Sequence, residues 1–119
     1  MDIDSSLSVI AESQEVVIET SDGEGRVGTI IWTAPHEGEI YIRSYLGDRG
    51  VWYQRALVNP DVVLKAGDVS MPMRAVPARD AKSVEAATQG FLAKYTPSTS
   101  RDAMVVDDIL HTTLRLEQP

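Results

Sequence analysis

The alternation of apolar and polar residues predicts a chain built mainly of β-strands. Segments rich in valine, isoleucine and aromatic residues are separated by short runs of glycine, proline, aspartate and serine, a pattern typical of strands joined by turns. The tripeptide Ala66-Gly67-Asp68 between two such segments is a strong hairpin signal. The predicted strands are residues 15–20, 26–34, 40–46, two within 61–78 and 111–116, and the turns between the first three are 21–25 and 35–39.

The segment IYIRSYL, residues 40–46, alternates most regularly and predicts a strand with two different faces. One face is aliphatic and is expected to point towards a core. The other combines aromatic and arginine side chains and is expected to meet different surroundings. The aliphatic face holds Ile40, Ile42, Ser44 and Leu46, and the second face holds Tyr41, Arg43 and Tyr45.

Other segments change to the period of a helix and carry helix-start signals. On the longest of them, one face is expected to be buried as a stripe of Val84, Ala87, Phe91 and Tyr95. In the helix after Gly47, the side chains of Arg49, Trp52 and Ala56 share a face. The predicted helices run from Ser5 or Ser6 to about Ser13, from Asp48 as N-cap to Asn59 before Pro60, and from Asp80 as N-cap to about Tyr95, with a short helical turn at 101–106.

The order of these elements predicts an α+β domain that is mainly β, with flanking helices. Short turns between neighbouring strands imply an antiparallel sheet. A half-polar sheet of this size usually closes into a small barrel, which removes its exposed edges. With 119 residues the chain fits one domain, 1–119, in which 1–13 form an N-terminal helix or arm.

Composition and charge exclude several classes of function. The formal net charge is -7, and the segment 1–25 carries seven acids and no lysine or arginine. Such a chain lacks the broad basic surface that sequence-independent nucleic-acid binding requires. The absence of cysteine excludes disulfides, thiolate metal sites and cysteine nucleophiles. No apolar run is long enough to cross a membrane and the start MDIDSS lacks a basic signal region, so we expect a cytoplasmic protein.

Residues that could perform catalysis by themselves are scarce. His36 and His111 do not lie in a sequence context typical of nucleophilic catalysis, and both are interpreted as ordinary surface or strand-end residues. The grouping of Asp107 and Asp108 with His111 is the best metal candidate, but such spacing is common by chance. We therefore expect no metal site, and we identify no catalytic acid.

The stretch from Ile40 to Arg55 carries three arginines against a single acid, and it contains four aromatic residues. Arginine presents a rigid fork of donors suited to phosphate, and the helix start at residues 47–49 offers free backbone N–H groups to an anion. Trp52 and the tyrosines can pack against a planar ring. The combination favours a nucleotide or flavin-like ligand. The alternative, equally open from the residues alone, is that Trp52 belongs to the core and the arginines pair with surface acids such as Asp61 or Glu39.

The chain after Gly25 resembles the flavin-binding split-barrel superfamily, which includes pyridoxamine 5'-phosphate oxidases and deazaflavin-dependent nitroreductases. The resemblance runs from TIIWTAPHEGEIYIRSYLGDRGVWYQRALVNPDVVLKAGD through FLAKY to TLRL and is strongest for a small bacterial branch of unknown function. It implies a six-stranded antiparallel split β-barrel that forms a homodimer with cofactor sites at the interface. The most specific part of the motif is Arg43-Ser44, Gly47, Trp52-Tyr53 and Arg55.

The same resemblance implies a cofactor site for FMN or a deazaflavin coenzyme, which the residues do not distinguish. Arg55 or Arg43 is expected near the pyrimidine edge of the cofactor ring. Relatives often carry a basic residue followed by Thr-Pro-Ile-Trp, whereas this chain has Arg26 farther from Trp32 and no proline between them. The implied phosphate contacts are Arg43, Ser44, Tyr45, Gly47 and Arg49, the ring wall is Thr29, Ile30 and Ile31, and Trp52 and Arg55 complete the cofactor-binding set.

Two functions from different classes follow from the resemblance. The first is a flavin- or deazaflavin-dependent reductase or oxidase acting on a small organic substrate. The second is a non-catalytic split-barrel dimer that binds a cofactor or another ligand, or that has no cofactor bound. A purely structural domain, with the aromatic residues at a dimer interface, is a third and weaker interpretation.

Overall fold

Seven antiparallel strands form one sheet that curls into a half-barrel in the computed structural model, which describes residues 3–119. The order of strands across the sheet is β2-β1-β5-β6-β7-β4-β3. The mainly antiparallel class with flanking helices is confirmed, and the half-barrel is consistent with a split-barrel-like fold, although the number of strands is seven and not the predicted six. The strands are β1 Val16–Ser21, β2 Arg26–Ile31, β3 Ala34–His36, β4 Glu39–Ile42, β5 Asp61–Ala66, β6 Val69–Pro77 and β7 Leu114–Glu117.

The extra strand arises because the predicted strand 26–34 is interrupted at Trp32 and Thr33. Ile31, at the end of β2, pairs with Val16 of β1, whereas Ala34, at the start of β3, pairs with Tyr41 of β4. The chain therefore crosses from the first strand of the sheet to the last within two residues. A continuous apolar run indicates that consecutive residues are buried, but it does not indicate where the strand changes its pairing partner.

Four α-helices accompany the sheet in the described part of the chain. The N-cap prediction for Asp80 is confirmed, because its carboxylate accepts a hydrogen bond from the Ser83 amide at 3.1 Å. The N-cap prediction for Asp48 is wrong: a 3-10 helix occupies this position, and Gly50 precedes the α-helix. The helices are α1 Ile3–Glu12, α2 Val51–Val58, α3 Ala81–Lys94 and α4 Thr99–Ala103, and the 3-10 helices are Gly47–Arg49 and Asp107–Thr112.

The core lies on both faces of the strand β4. Ile40 and Ile42 belong to the cluster enclosed by the sheet, as the alternation predicted. Tyr41, on the other face, is buried in a second cluster with Phe91 and Tyr95, the residues predicted as the inner stripe of α3. Both faces of β4 are therefore covered by other parts of the chain. The aliphatic pattern by itself indicated burial for one face only.

The strand predicted to run to Leu46 ends at Ile42 instead. The chain turns immediately after it, where the Ser44 hydroxyl donates to the carbonyl of Gly47 at 2.7 Å and Gly47 adopts a left-handed φ of 64°. Leu46 is consequently exposed, and its predicted place on the core-facing side is wrong.

Two other predictions, the hairpin between β5 and β6 and the start of the last strand, depended on local sequence signals. The hairpin between β5 and β6 turns at Gly67, whose φ of 56° explains why glycine stands there. The last strand begins at Leu114 and not at His111, because the hydroxyls of Thr112 and Thr113 donate to carbonyls three residues earlier and keep this segment helical. Within residues 3–119, no helix has the length and apolar character needed to cross a bilayer.

Candidate functional site

A cavity of about 330 Å³ lies where the end of β2, the turn after β4, the start of α2 and the helix α4 meet. Larger and more polar grooves of about 940 Å³ and 590 Å³ lie beside the β3–β4 hairpin. The smaller cavity holds five of the residues that the sequence assigned to cofactor binding, which makes it the candidate site. Its lining is Glu15, Ile30, Ile31, Trp32, Arg43, Tyr45, Trp52, Ser100 and Met104.

One wall of the cavity is fixed by stacked aromatic rings. Trp32 lies parallel to the ring of Tyr95, with 3.9 Å between ring centroids and 7° between planes. The Tyr95 hydroxyl donates to the Gln14 carbonyl at 2.8 Å and accepts the amide of Thr33 at 3.2 Å. Burial raises the pKa of Tyr95 to about 12, so this hydroxyl remains a protonated donor at neutral pH. Trp32 is thus held by a neighbour that is itself anchored on two sides.

A second wall of the cavity comes from the first turn of α2 and the preceding loop. Trp52 is buried and meets the ring of Tyr53 edge-on, with centroids 6.2 Å apart. Gly50 allows the loop to approach closely, because a Cβ at this position would collide with the hydroxyl of Ser44. Tyr45 is 65% exposed and stands at the mouth of the cavity. Trp52 therefore belongs both to the core, as the alternative interpretation held, and to the cavity wall.

Arg43 forms the most deeply buried part of the lining and is 1% exposed. Its Nε donates to the Thr113 hydroxyl at 2.9 Å, Nη1 donates to the Met104 carbonyl at 3.0 Å, and Nη2 donates to the Val84 carbonyl at 2.8 Å. The guanidinium also lies 5.6 Å from the centroid of the Phe91 ring. Burial lowers the pKa of Arg43 to about 10, which leaves it charged at neutral pH. The hydrogen bonds of Arg43 therefore connect the end of β4 to α3 and to the chain around Met104.

A second group of predicted residues shapes the site without lining it. The Ser44 amide donates to the hydroxyl of Thr112 at 3.0 Å, and the Ser44 hydroxyl donates to the Gly47 carbonyl. Both Ser44 and Gly47 are buried. Thr29 pairs with Ile18 in the middle of β2 and also lies outside the lining.

The two remaining arginines of the motif point to different places. Arg49 is exposed at the end of the 3-10 helix that precedes α2. Arg55 lies close enough to Asp22 to contribute to its lowered pKa, although the amides of Glu24 and Gly25 cause most of that shift. Arg55 therefore lies towards the β1–β2 turn rather than at the cavity. In residues 3–119, neither arginine forms an ion pair within 4 Å, which does not support the alternative pairing with surface acids.

The structure adds four residues that the sequence interpretation missed. Trp32 directly follows the predicted ring wall, so the IW dipeptide was a usable signal. Glu15, Ser100 and Met104 come from outside the strand–helix motif and carried no recognisable pattern. Among the described residues, no group of three or more His, Asp or Glu side chains could hold a metal ion, and His111 instead contacts Asp48 at 2.8 Å.

The family described as "Uncharacterized protein conserved in bacteria (DUF2255)" matches residues 6–116. The curated proteins contain no significant match. The fold is similar to that of the conserved hypothetical protein Rv2991 from Mycobacterium tuberculosis, with a TM-score of 0.70 and 15% identity over 98% of this chain and 78% of that chain.

Two further solved structures carry more descriptive names. One, from Listeria innocua, is provisionally assigned as a pyridoxamine 5'-phosphate oxidase; its TM-score is 0.66 with 13% identity over 95% of this chain and 90% of that chain. The other, from Bacteroides thetaiotaomicron, is provisionally assigned as a 5-nitroimidazole antibiotic resistance protein; its TM-score is 0.65 with 14% identity over 97% and 77%. These similarities show that the chain shares the fold of these proteins, as the resemblance to split-barrel proteins implied.

Proposed function

The chain belongs to the bacterial family DUF2255, and from its split-barrel fold and its cavity we propose that it binds a flavin-type cofactor and acts as an oxidoreductase on a small organic substrate. The observation that carries the proposal is the cavity between the end of β2 and the start of α2. Its walls are aromatic and aliphatic, and its position coincides with the residues that the resemblance assigns to the cofactor ring.

The cavity fits the planar part of such a cofactor. Ile30 and Ile31 provide an aliphatic surface, while Trp52 and Tyr45 provide aromatic surfaces suited to contact with a ring system. The bound cofactor would supply hydride transfer, and the protein would supply orientation and electrostatics. Arg43 keeps two N–H groups beyond the three that bond to the chain, and its positive charge favours electron density on a neighbouring ring.

The anionic end of the cofactor would lie at the start of α2. The first amides of a helix have no acceptor within their own helix, so those of Val51 to Tyr53 can face a phosphate. Arg49 is exposed just before this helix and is free of carboxylate partners within 4 Å in the described chain. We therefore assign the phosphate contact to Arg49 and these amides. In this assignment Ser44 and Gly47 hold the turn in place and do not contact the phosphate themselves.

The proposed functional unit is a homodimer. Large apolar side chains are exposed around the cavity mouth and along α2, and Tyr45 and Ile30 belong to both the cavity and this surface. Val58 is the most exposed of them at 88%, and contiguous exposed apolar surface marks protein interfaces. A second copy that covered this surface would also close the cavity. The exposed apolar residues are Ile30, Tyr45, Leu46, Val51, Leu57, Val58 and Val106.

Titration calorimetry of the purified protein with FMN and with the deazaflavin coenzyme tests the cofactor proposal. Arg49→Ala should weaken binding at least tenfold, because a lost hydrogen bond to a charged group costs about 1.5–3 kcal/mol. Arg74→Ala, which removes an exposed arginine from β6, serves as the matched control and should bind normally. Absence of binding heat for both cofactors, together with a colourless purified protein, would rule the proposal out.

A non-catalytic ligand-binding dimer is the second candidate. It is favoured by the scarcity of proton-transfer groups in the cavity, where Glu15 and Arg43 are the charged side chains of the lining. Arg43 is engaged with the chain, and Glu15 is exposed. A cofactor-loaded protein that reduces neither a quinone nor a nitroaromatic acceptor when supplied with reductant would support this candidate over the oxidoreductase.

A further inference from the structure

Lys94, in the last turn of α3, is a half-buried amine in unusual surroundings. Its Nζ atom lies 2.6 Å from the Thr33 hydroxyl oxygen and 5.0 Å from the centroid of the Tyr95 ring. No carboxylate of the described chain lies within 4 Å of it. The two other lysines are ordinary by comparison: Lys65 pairs with Glu19 at 2.9 Å, and Lys82 is exposed.

The charged and titratable groups around this amine do not neutralise it. Tyr95 is protonated at neutral pH, and Glu15 acts on the Tyr95 hydroxyl rather than on the amine. Arg101, from α4, is directed at the Leu92 and Tyr95 carbonyls at the end of α3, at 3.3 Å and 3.4 Å. The amine therefore loses hydration without gaining a counter-ion. This burial lowers the pKa of Lys94 to about 8.

We propose that Lys94 is a nucleophilic amine that condenses with small aldehydes to form an imine. The lone pair of the neutral amine attacks the carbonyl carbon, both amine protons pass to the former carbonyl oxygen, and this oxygen leaves as water while the carbon–nitrogen double bond forms. No oxidant or reductant takes part in this step. The proposal rests on the side chains around Lys94 and is independent of the cofactor proposal.

The contact with Thr33 is compatible with the neutral amine. A hydroxyl can accept from an ammonium and can donate to an amine, so the 2.6 Å contact persists after the proton is lost. With a pKa of about 8, about a tenth of the amine is neutral at pH 7, whereas an ordinary lysine is neutral in well under one part in a thousand. Nucleophilic lysines arise from this kind of desolvation.

The amine is also next to a surface suited to a small organic aldehyde. The ring of Tyr95 provides an apolar face, and Trp32, which stacks on that ring, lines the 330 Å³ cavity. Thr33, the hydrogen-bond partner of Lys94, directly follows Trp32 in the chain. Lys94 is only partly buried, so part of the residue is open to solvent.

The test is competitive labelling of the three lysines in the folded chain. The protein is treated at pH 7 with limiting propanal and cyanoborohydride, which traps the imine as a stable propyl amine, and each site is quantified by peptide mass spectrometry. Lys94 should be labelled at least tenfold faster than Lys82, with a rate that rises with pH to a midpoint near 8. In denaturing urea the two lysines should react alike.

Two variants keep the proposal falsifiable. Lys94→Arg should abolish the fast phase while leaving the labelling of Lys82 unchanged. Thr33→Val removes an acceptor that stabilises the ammonium and should increase the labelling of Lys94 at pH 7. Equal or slower labelling of Lys94 than of Lys82 in the folded protein would overturn the proposal, whether the cause is an ordinary protonated amine or blocked access.

Discussion

Replacing Arg43 by methionine should destabilise the fold severely, even though this residue lines the cavity. Methionine keeps an unbranched apolar side chain of similar reach but removes all the donors of the guanidinium. The Met104 carbonyl, 61 residues away along the chain, then loses its donor, whereas the Val84 carbonyl lies inside α3, keeps its helical partner and loses only the additional contact from Arg43. The Thr113 hydroxyl keeps its bond to the Leu110 carbonyl and loses only the contact from Arg43.

The magnitude follows from these contacts. The Met104 carbonyl, left without a donor, costs about 1–3 kcal/mol. The loss of the contacts to the Val84 carbonyl and the Thr113 hydroxyl, which keep other hydrogen bonds, adds about 1 kcal/mol each. Removing a buried charge returns part of its desolvation cost and offsets some of this loss. We expect the free energy of unfolding to fall by about 2–4 kcal/mol, a large share of the 5–15 kcal/mol typical of a domain.

Urea unfolding followed by tryptophan fluorescence measures this change, because Trp32 and Trp52 are both partly or fully buried. Arg74→Met is the matched control: the same substitution at an exposed arginine outside the proposed site should change the free energy of unfolding by no more than about 0.5 kcal/mol. Arg43→Lys, which can restore only part of the three contacts, should fall between the two. A free energy of unfolding for Arg43→Met within about 1 kcal/mol of the parent, combined with lost FMN affinity, would show that Arg43 serves the ligand and not the scaffold.

Three further predictions concern packing, protonation and a surface ion pair. Gly90→Ala should lower the free energy of unfolding by about 1–3 kcal/mol despite the better helix propensity of alanine, because its Cβ would lie 2.8 Å from a backbone oxygen of β3. Gly25→Ala, which meets nothing within 4 Å, is the control in the same thermal-unfolding experiment, and equal melting temperatures for the two variants would contradict the prediction. Burial lowers the pKa of Lys94 in the folded state from the ordinary 10.5 to about 8, so the unfolded state binds more protons between these two pH values. The free energy of unfolding contributed by this residue therefore rises with pH across that window. Lys94→Met should remove that part of the rise, measured by urea unfolding at several pH values. Asp48→Asn removes the negative charge from the exposed contact with His111 but keeps an acceptor oxygen, and it should cost less than about 1 kcal/mol at pH 6; a larger loss would show that the ion pair anchors the loop.

The sequence by itself determined the features that depend on neighbouring residues. Asp80 caps α3 because its carboxylate needs only the amide three residues later. Gly67 turns the β5–β6 hairpin because a left-handed backbone favours glycine wherever it occurs. The stripe of Ala87 and Phe91 on α3 was readable because the helical period fixes which residues share a face. The split-barrel fold followed from the order of such elements and from the resemblance of the strand–helix motif.

The tertiary structure decided which side chains face the cavity and which form hydrogen bonds within the fold. The sequence identified Arg43 as a cation suited to an anion. Its hydrogen-bond acceptors, however, come from three distant segments, and no local pattern predicts them. Trp32 and Thr33 interrupt a run that reads as one strand, because the pairing partner changes there from β1 to β4. The surroundings of Lys94 are set by the ring of Tyr95 and by Thr33, which lies 61 residues earlier in the chain. Periodicity along a chain reports how much of a side chain is buried; the partner that buries it, and hence its charge and reactivity, is set by contacts between segments far apart in sequence.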